Sequence, residues 1–187
     1  MKEQDTDLLE VFTSREELFD GVIVHLVRDT VTLPNGKPAT REVILHNGAV
    51  AVVPLFEDGT VLMEHQYRHP LGRVIYEIPA GKLDSADEDP RVAALRELRE
   101  ETGYTADTLT SLGCYIPSPA ILGERIELFL AEGLHAGATS LDEDEFLRTE
   151  RRPLGELCDM IVKGTIEDGK TQIALLKTLL LKRGLPQ

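Results

Sequence analysis

Glu97, Glu100 and Glu101 stand at i, i+3 and i+4 in the run R-E-L-R-E-E. On a helix that spacing projects three carboxylates from one face. The placement is locally unfavourable. Like charges at these separations repel, and in the C-terminal half of a helix the dipole also disfavours anions, each effect costing roughly a few tenths of a kcal/mol. From the helix alone an exposed charged face is the simpler reading, since Arg96 and Arg99 lie nearby and Arg96 can pair with Glu100. The surrounding order favours a bound cation instead: a glycine loop, an acidic residue, the R-E-L-R-E-E helix, a glycine stop and then the apolar Tyr104. Hard carboxylate oxygens suit Mg²⁺, an ion that keeps several waters and bridges to phosphates.

These carboxylates require a helix, and the sequence supplies one from Pro90 to Thr102. Asp89 can cap it, Pro90 suits the first position, Val92, Leu95 and Leu98 recur at helical spacing, and Gly103 ends it. Upstream, Gly21 to Leu33 and Arg41 to Leu45 read as strands joined by the turn L-P-N-G-K-P. Ala49 to Phe56, Val61 to Tyr67 and Val74 to Ile78 are three further strands before the loop at Gly81. Downstream, Leu109 to Tyr115, Arg125 to Ala131 and Phe146 to Arg151 read as strands, with the acidic tract Leu141 to Glu145 as a loop. Leu154 to Val162 and Thr171 to Lys182 read as closing helices. Mixed strands followed by helices predict an α/β sandwich, one catalytic domain behind an N-terminal β extension.

Composition narrows the classes of function. The 187 residues are 42% hydrophobic, enough for a core, and carry a formal net charge of −13. A general nucleic-acid binder is not expected, because phosphate backbones are held by Lys and Arg clusters and none is present. An anionic substrate would need a cation as bridge. M-K-E-Q-D-T-D lacks the pattern of a signal peptide, and no apolar segment approaches the ~18 residues needed to span a bilayer, so the expected location is the cytoplasm, away from membranes. Cys114 and Cys158 lack CxxC spacing and are expected to be buried free thiols without chemistry.

From Glu88 onward the motif resembles the signature of the Nudix hydrolases: Glu88, Arg96, Glu97, Leu98, Glu100, Glu101, Gly103 and Tyr104 all match. The departure is in the loop, where six residues instead of five separate Gly81 from Glu88. Either the loop holds one extra residue or Asp87 takes the glutamate position; the first is preferred, because loops absorb insertions more easily than a helix keeps its face after a register shift. The resemblance runs from about Gly21 over most of the chain and points to the ADP-ribose pyrophosphatase branch. It is carried by L-P-N-G-K with R-E-V (Arg41 to Val43), H-Q-Y-R-H-P (His65 to Pro70), E-I-P-A-G-K-L-D (Glu77 to Asp84) and Y-I-P-S-P (Tyr115 to Pro119). The branch's Ser-Pro-Gly reads Ser118-Pro119-Ala120 here, while Glu124 stands where the branch has a glutamate.

The resemblance implies a Nudix-type α/β/α sandwich of mixed sheet, with residues 1–45 as a dimerising β extension and 46–187 as the hydrolase domain. It implies that Glu97 and Glu101 bind Mg²⁺ (or Mn²⁺) with Glu100 and the carbonyl of Ala80, and that Glu88 braces Arg96. The implied reaction converts ADP-ribose to AMP and ribose 5-phosphate. Glu145, with Glu143 as the other choice, is the expected general base, because a carboxylate on a mobile acidic loop can close over the substrate; a solvated acidic loop is the alternative. Arg41 and Arg68 are expected to grip the substrate, since guanidinium groups make bidentate contacts to phosphate and stack on adenine, and Pro119 and Glu124 join them by resemblance. In the branch an arginine at the position of Arg41 reaches the ligand from a partner subunit, so a homodimer is expected; surface ion pairing is the alternative for Arg41. His65 and His69 are read as structural. Within enzymes the rival is a GDP-mannose or other nucleotide-sugar pyrophosphatase, because I-E-D-G-K-T (Ile166 to Thr171) resembles that neighbouring group. Outside enzymes the rival is a non-catalytic nucleotide-sugar sensor.

Overall fold

The computed structural model describes residues 3–141 and 146–184. The chain divides into two units, one of residues up to Asn47 together with Ser118–Glu124, the other of Gly48–Pro117 with the chain from Arg125 onward.

The first unit is an antiparallel sheet in the order β1-β2-β3, from β1 (Val11–Asp20), β2 (His25–Thr32) and β3 (Pro38–Leu45). The L-P-N-G-K-P turn joins β2 to β3, with Gly36 at φ +79°, the left-handed region that glycine enters at least cost. Strand β2 alternates, burying Val27, Asp29 and Val31. Asp29 is neutralised by a bidentate bond from Arg15 on β1, both contacts 2.7 Å, which holds its carboxyl below the usual range. Ser118–Glu124 returns to this unit through Ile121, whose carbonyl accepts from Ile44 at 2.8 Å, and through Gly123, whose N–H donates to the Ile44 carbonyl at 3.0 Å.

The second unit begins with β4 (Ala49–Pro54), whose six residues are all buried. It is central in the sheet β7-β4-β9-β8, parallel to β9 (Ile126–Ala136) and antiparallel to β7 (Ala80–Lys82), with β8 (Tyr104–Tyr115) at the edge. Burial on both faces explains the nearly continuous apolar run A-V-A-V-V. Alternate residues separate two cores. Val50 and Val52 pack with Ala93, Ala94 and Leu98 of α1 (Pro90–Thr102), while Ala51 and Val53 pack with Leu157 and Cys158 of α2 (Leu154–Val162) and Ala174 and Leu175 of α3 (Gly169–Lys182). The mixed sheet is therefore covered by helices on both faces, as the sequence leads one to expect. Leu98, fully buried, contributes about 1.5–3 kcal/mol by its burial alone. The remaining strands, β5 (Thr60–Arg68), β6 (Arg73–Glu77) and β10 (Leu147–Pro153), form an antiparallel sheet in the order β10-β5-β6.

The largest departures from the sequence expectation are at β1, β7 and β8. Strand β1 was not expected, because a strand exposed at nearly every position has no apolar alternation to betray it. Strand β7 stands where a glycine loop was expected; it exists through pairing with Ala49–Ala51. Strand β8 starts at Tyr104, five residues before Leu109, and its first part is held by β9 rather than by its own propensity. Cys158 is buried, but Cys114 is only half-buried; both thiols are free, and burial raises both pKa values.

Candidate active site

Helix α1 is fixed at both ends by the residues that announced it. The Asp89 side chain accepts from the N–H of Arg91 at 2.8 Å, and Gly103 closes the helix at φ +75°, its N–H donating to the Arg99 carbonyl at 2.9 Å. A Cβ at Gly103 would lie 2.8 Å from the carbonyl oxygen of Gly137, so the segment after β9 passes where no side chain fits. That segment continues to Ser140, whose N–H donates to the Glu100 carbonyl at 2.9 Å.

The face of α1 that bears Glu97, Glu100 and Glu101 opens into a cleft of about 280 Å³, also lined by Ala80, Gly81, Lys82, Asp84, Arg96 and Ser140. Glu101 is 3% exposed, and its Oε2 accepts from the Ala80 N–H at 3.0 Å, which joins the helix to β7. Glu97 lies directly against Gly81: a Cβ there would overlap its carboxylate. Arg96 holds the rest in place. Its Nη1 donates to Glu97 at 2.6 Å and Glu100 at 3.2 Å, and its Nη2 to the Lys82 carbonyl at 3.2 Å and to Glu88 at 3.4 Å. Burial works against the Arg96 charge, but Glu97, Glu100 and Asp84 outweigh it and raise its pKa.

These residues fit a small divalent cation. The side chains are hard oxygen donors, and Gly81 leaves space at Glu97 that any Cβ would fill. Among the described residues no three acidic, histidine or cysteine side chains converge as a preformed cage. Such an open arrangement suits an ion whose shell is completed by waters and ligand phosphates rather than by a preformed protein cage.

Residues 45–176 match the NUDIX domain family. The chain is 42% identical to the ADP-ribose pyrophosphatase of Bacillus subtilis (strain 168), over 87% of this chain and 88% of that protein. The chain belongs to the Nudix family. It is also 45% identical to the methanol dehydrogenase activator of Bacillus methanolicus, over 86% of this chain and 87% of that one. The crystal structure of an ADP compounds hydrolase has the same fold, with a TM-score of 0.81 at 22% identity over 95% of this chain and 97% of its own.

Within this Nudix protein the six-residue loop is resolved in favour of an insertion. Glu88 is the glutamate that meets Arg96, and its Oε2 also accepts from the Asp84 N–H at 2.7 Å, which folds Asp84–Glu88 into a compact turn before Asp89. Arg68 ends β5 and forms a bidentate pair with Glu77, 2.8 and 3.0 Å. Arg41 lies in the first unit, exposed on β3, paired with Glu10 and donating to the Thr40 carbonyl at 2.9 Å. Pro119 and Glu124 belong to the same unit, where Glu124 stands 3.6 Å from His46. Glu143 and Glu145 lie outside the described residues. His65 stacks on Tyr76 with ring centroids 4.6 Å apart and approaches Glu150 at 3.4 Å; His69 opens a short 3₁₀ turn.

Glu77 and Lys170 carry a contact that no sequence pattern signals. Glu77 is 1% exposed, accepts from both Arg68 and Lys170, and pairs in register with Glu64, also 1% exposed. For the two glutamates alone, the available signal was a charged residue at each end of otherwise apolar strand runs, M-E-H and Y-E-I.

Proposed function

We propose that this Nudix protein hydrolyses the diphosphate of a nucleoside diphosphate sugar, ADP-ribose to AMP and ribose 5-phosphate, and that it uses Mg²⁺ to do so. The observation that carries the reading is the cleft in which Glu97, Glu100 and Glu101 face the β7 backbone across Gly81. Its relationship to a named ADP-ribose pyrophosphatase along nearly the whole of both chains supports the substrate class.

In this reading Glu97, Glu100, Glu101 and the Ala80 carbonyl hold the ion, and Arg96, braced by Glu88, keeps Glu97 and Glu100 in place. Bound there, the ion supplies neutralisation of the diphosphate and activation of a water. Arg68 directs N–H groups at a phosphate oxygen, and Arg41, Pro119 and Glu124 contribute substrate contacts, carried by the resemblance of their segments. Glu145, or else Glu143, takes the proton of the attacking water. Water oxygen bonds to one phosphorus, the bridging P–O bond breaks, and two monophosphates leave.

The test is a panel of ADP-ribose, GDP-mannose, NADH, diadenosine polyphosphates and nucleoside triphosphates, each with Mg²⁺ and with EDTA. Metal-dependent AMP from ADP-ribose is expected. GMP from GDP-mannose alone would move the substrate to the rival pyrophosphatase, and tight ADP-ribose binding without turnover would make the protein a sensor.

The homodimer belongs to the same proposal. Support comes from the first unit, where Val11, Phe12, Phe19, Val22 and Ile23 are exposed and β1 is an open edge. Exposed apolar side chains on and next to an edge strand are what a second chain can cover. Light scattering well above assay concentrations should give twice the chain mass; a monomer would remove the dimer and any role of Arg41 across subunits.

A further inference from the structure

The motif Ile166–Thr171, I-E-D-G-K-T, takes no part in the chemistry above, yet it is among the most constrained segments of the second unit. Ile166, Lys170 and Thr171 are buried. Asp168 caps α3, its carboxylate accepting from the Thr171 N–H at 2.9 Å and from Lys170 Nζ at 3.1 Å. Gly169 lies under Tyr115, whose hydroxyl would be 2.7 Å from any Cβ placed there. The Thr171 hydroxyl accepts the Ile78 N–H at 3.0 Å, and the Lys170 ammonium bonds Glu77. The start of α3 therefore grips two successive residues, Glu77 and Ile78, just before Pro79 and Ala80 lead into the cleft.

Glu77 stands between two cations. It takes two of the five N–H groups of Arg68 and bonds Lys170 through the oxygen Oε2 that it also presents to Arg68 Nη2. Three guanidinium N–H groups lie outside that pair. Burial works against the charge of Arg68, but the bond to Glu77 and the charges of Glu77, Glu101 and Asp168 raise its pKa. Two charged groups share Lys170 and two share Glu77, so the quartet Arg68, Glu77, Lys170 and Asp168 is neutral by formal charge. Without Lys170, the charge of a fully buried carboxylate would fall on Arg68, the other cation bonded to it among the described residues, and would draw its remaining donors inward.

We propose that Lys170 is a positioning residue for substrate binding: by sharing the buried Glu77 carboxylate it fixes the plane of the Arg68 guanidinium while leaving N–H groups for a ligand phosphate. The proposal rests on the hydrolytic reading above, in which Arg68 meets the diphosphate. It gives I-E-D-G-K-T a function that is independent of which sugar the enzyme prefers.

The test compares Lys170→Gln, Lys170→Arg and Thr171→Val with wild type, using KM and kcat for ADP-ribose and calorimetric binding of ADP and of adenosine in EDTA. Lys170→Gln should raise KM about tenfold with kcat within about twofold, the signature of lost binding common to ground and transition states. It should weaken ADP and leave adenosine unchanged. Lys170→Arg, with the cation kept but moved, should raise KM by about threefold. Thr171→Val loosens the same helix start without touching the charge and should lower the melting temperature with KM unchanged. An unchanged KM in Lys170→Gln overturns the proposal, as does an equal KM rise in Thr171→Val. Should Lys170→Gln fail to fold, Lys170→Arg decides, and an unchanged KM there overturns it. If wild type cleaves no nucleoside diphosphate sugar, the hydrolytic reading fails by itself, and selective loss of ADP over adenosine still decides the role of Lys170.

Discussion

The cleft beside α1 and the cluster around Glu77 are built from the same kinds of side chain in the same unit, and they differ in charge balance. The cleft is lined by four carboxylates, Asp84, Glu97, Glu100 and Glu101, against two cations, Lys82 and Arg96. The ion pairs of Glu77 join two carboxylates, Glu77 and Asp168, to two cations, Arg68 and Lys170, with the buried Glu64 as cross-strand neighbour. In the balanced cluster Glu77 is 1% exposed, as deep as the apolar core, and of its two cations Lys170 is buried while Arg68 reaches the surface. The unbalanced one lines a cleft, with Glu101 as deep as Glu77 but Glu100 and Asp84 partly exposed, and its excess of carboxylates calls for positive charge from outside. Burial of ions is tolerated where partners are built in, because an unpaired buried charge costs several kcal/mol. On the proposed reading, excess charge marks the place of the chemistry, and balanced charge marks what holds that place still.

The comparison breaks most visibly in the cleft. Glu97→Gln removes a carboxylate from the proposed metal site, and AMP release from ADP-ribose should fall about 10²–10³-fold with little loss of thermal stability. In the balanced cluster the outcome should be reversed: Glu77→Gln leaves Arg68 and Lys170 facing one another and should cost about 3 kcal/mol of stability in urea unfolding. A Glu77→Gln protein as stable as wild type would remove the distinction between the two regions. Gly81→Ala sharpens it, because the new Cβ displaces the Glu97 carboxylate by steric contact alone; turnover should fall about 10²-fold while the melting temperature stays within a few degrees.

The smallest effect belongs to a third cluster. Glu150 accepts from Arg152 at 2.7 Å, and that bond, opposed by burial and helped by Tyr76 and His65, lowers its carboxyl from 4.5 to about 2. A carboxyl depressed on folding stabilises above its unfolded pKa, and the contribution is lost as pH falls towards the folded value. Glu150→Gln should therefore cost about 1 kcal/mol at pH 7, discounted for a side chain 33% exposed, and the gap to wild type should close between about pH 4.5 and 2. A gap independent of pH would assign the loss to packing instead.

What the sequence makes legible is local. Asp89, Pro90, the spacing of Val92, Leu95 and Leu98, and Gly103 define α1 because capping and periodicity act within a few residues. The cleft followed for the same reason, since its three glutamates share one helix. The Glu77 cluster did not, because Lys170 lies 93 residues from Glu77 and no spacing rule connects them. Strand β7 escaped notice because A-G-K has no strand propensity and is held by β4. Helix α3 begins at Gly169, two residues before Thr171, because Asp168 caps it, a signal of the same kind as Asp89 but followed by glycine instead of proline.

The most direct measurement is the initial rate of ADP-ribose hydrolysis as Mg²⁺ is titrated from EDTA into wild type and Glu101→Gln. The account predicts no turnover in EDTA, a saturable rise in wild type, and a variant slower by about 10²–10³-fold across the titration. Turnover that ignores the metal, or a variant that follows the wild-type curve, would contradict it.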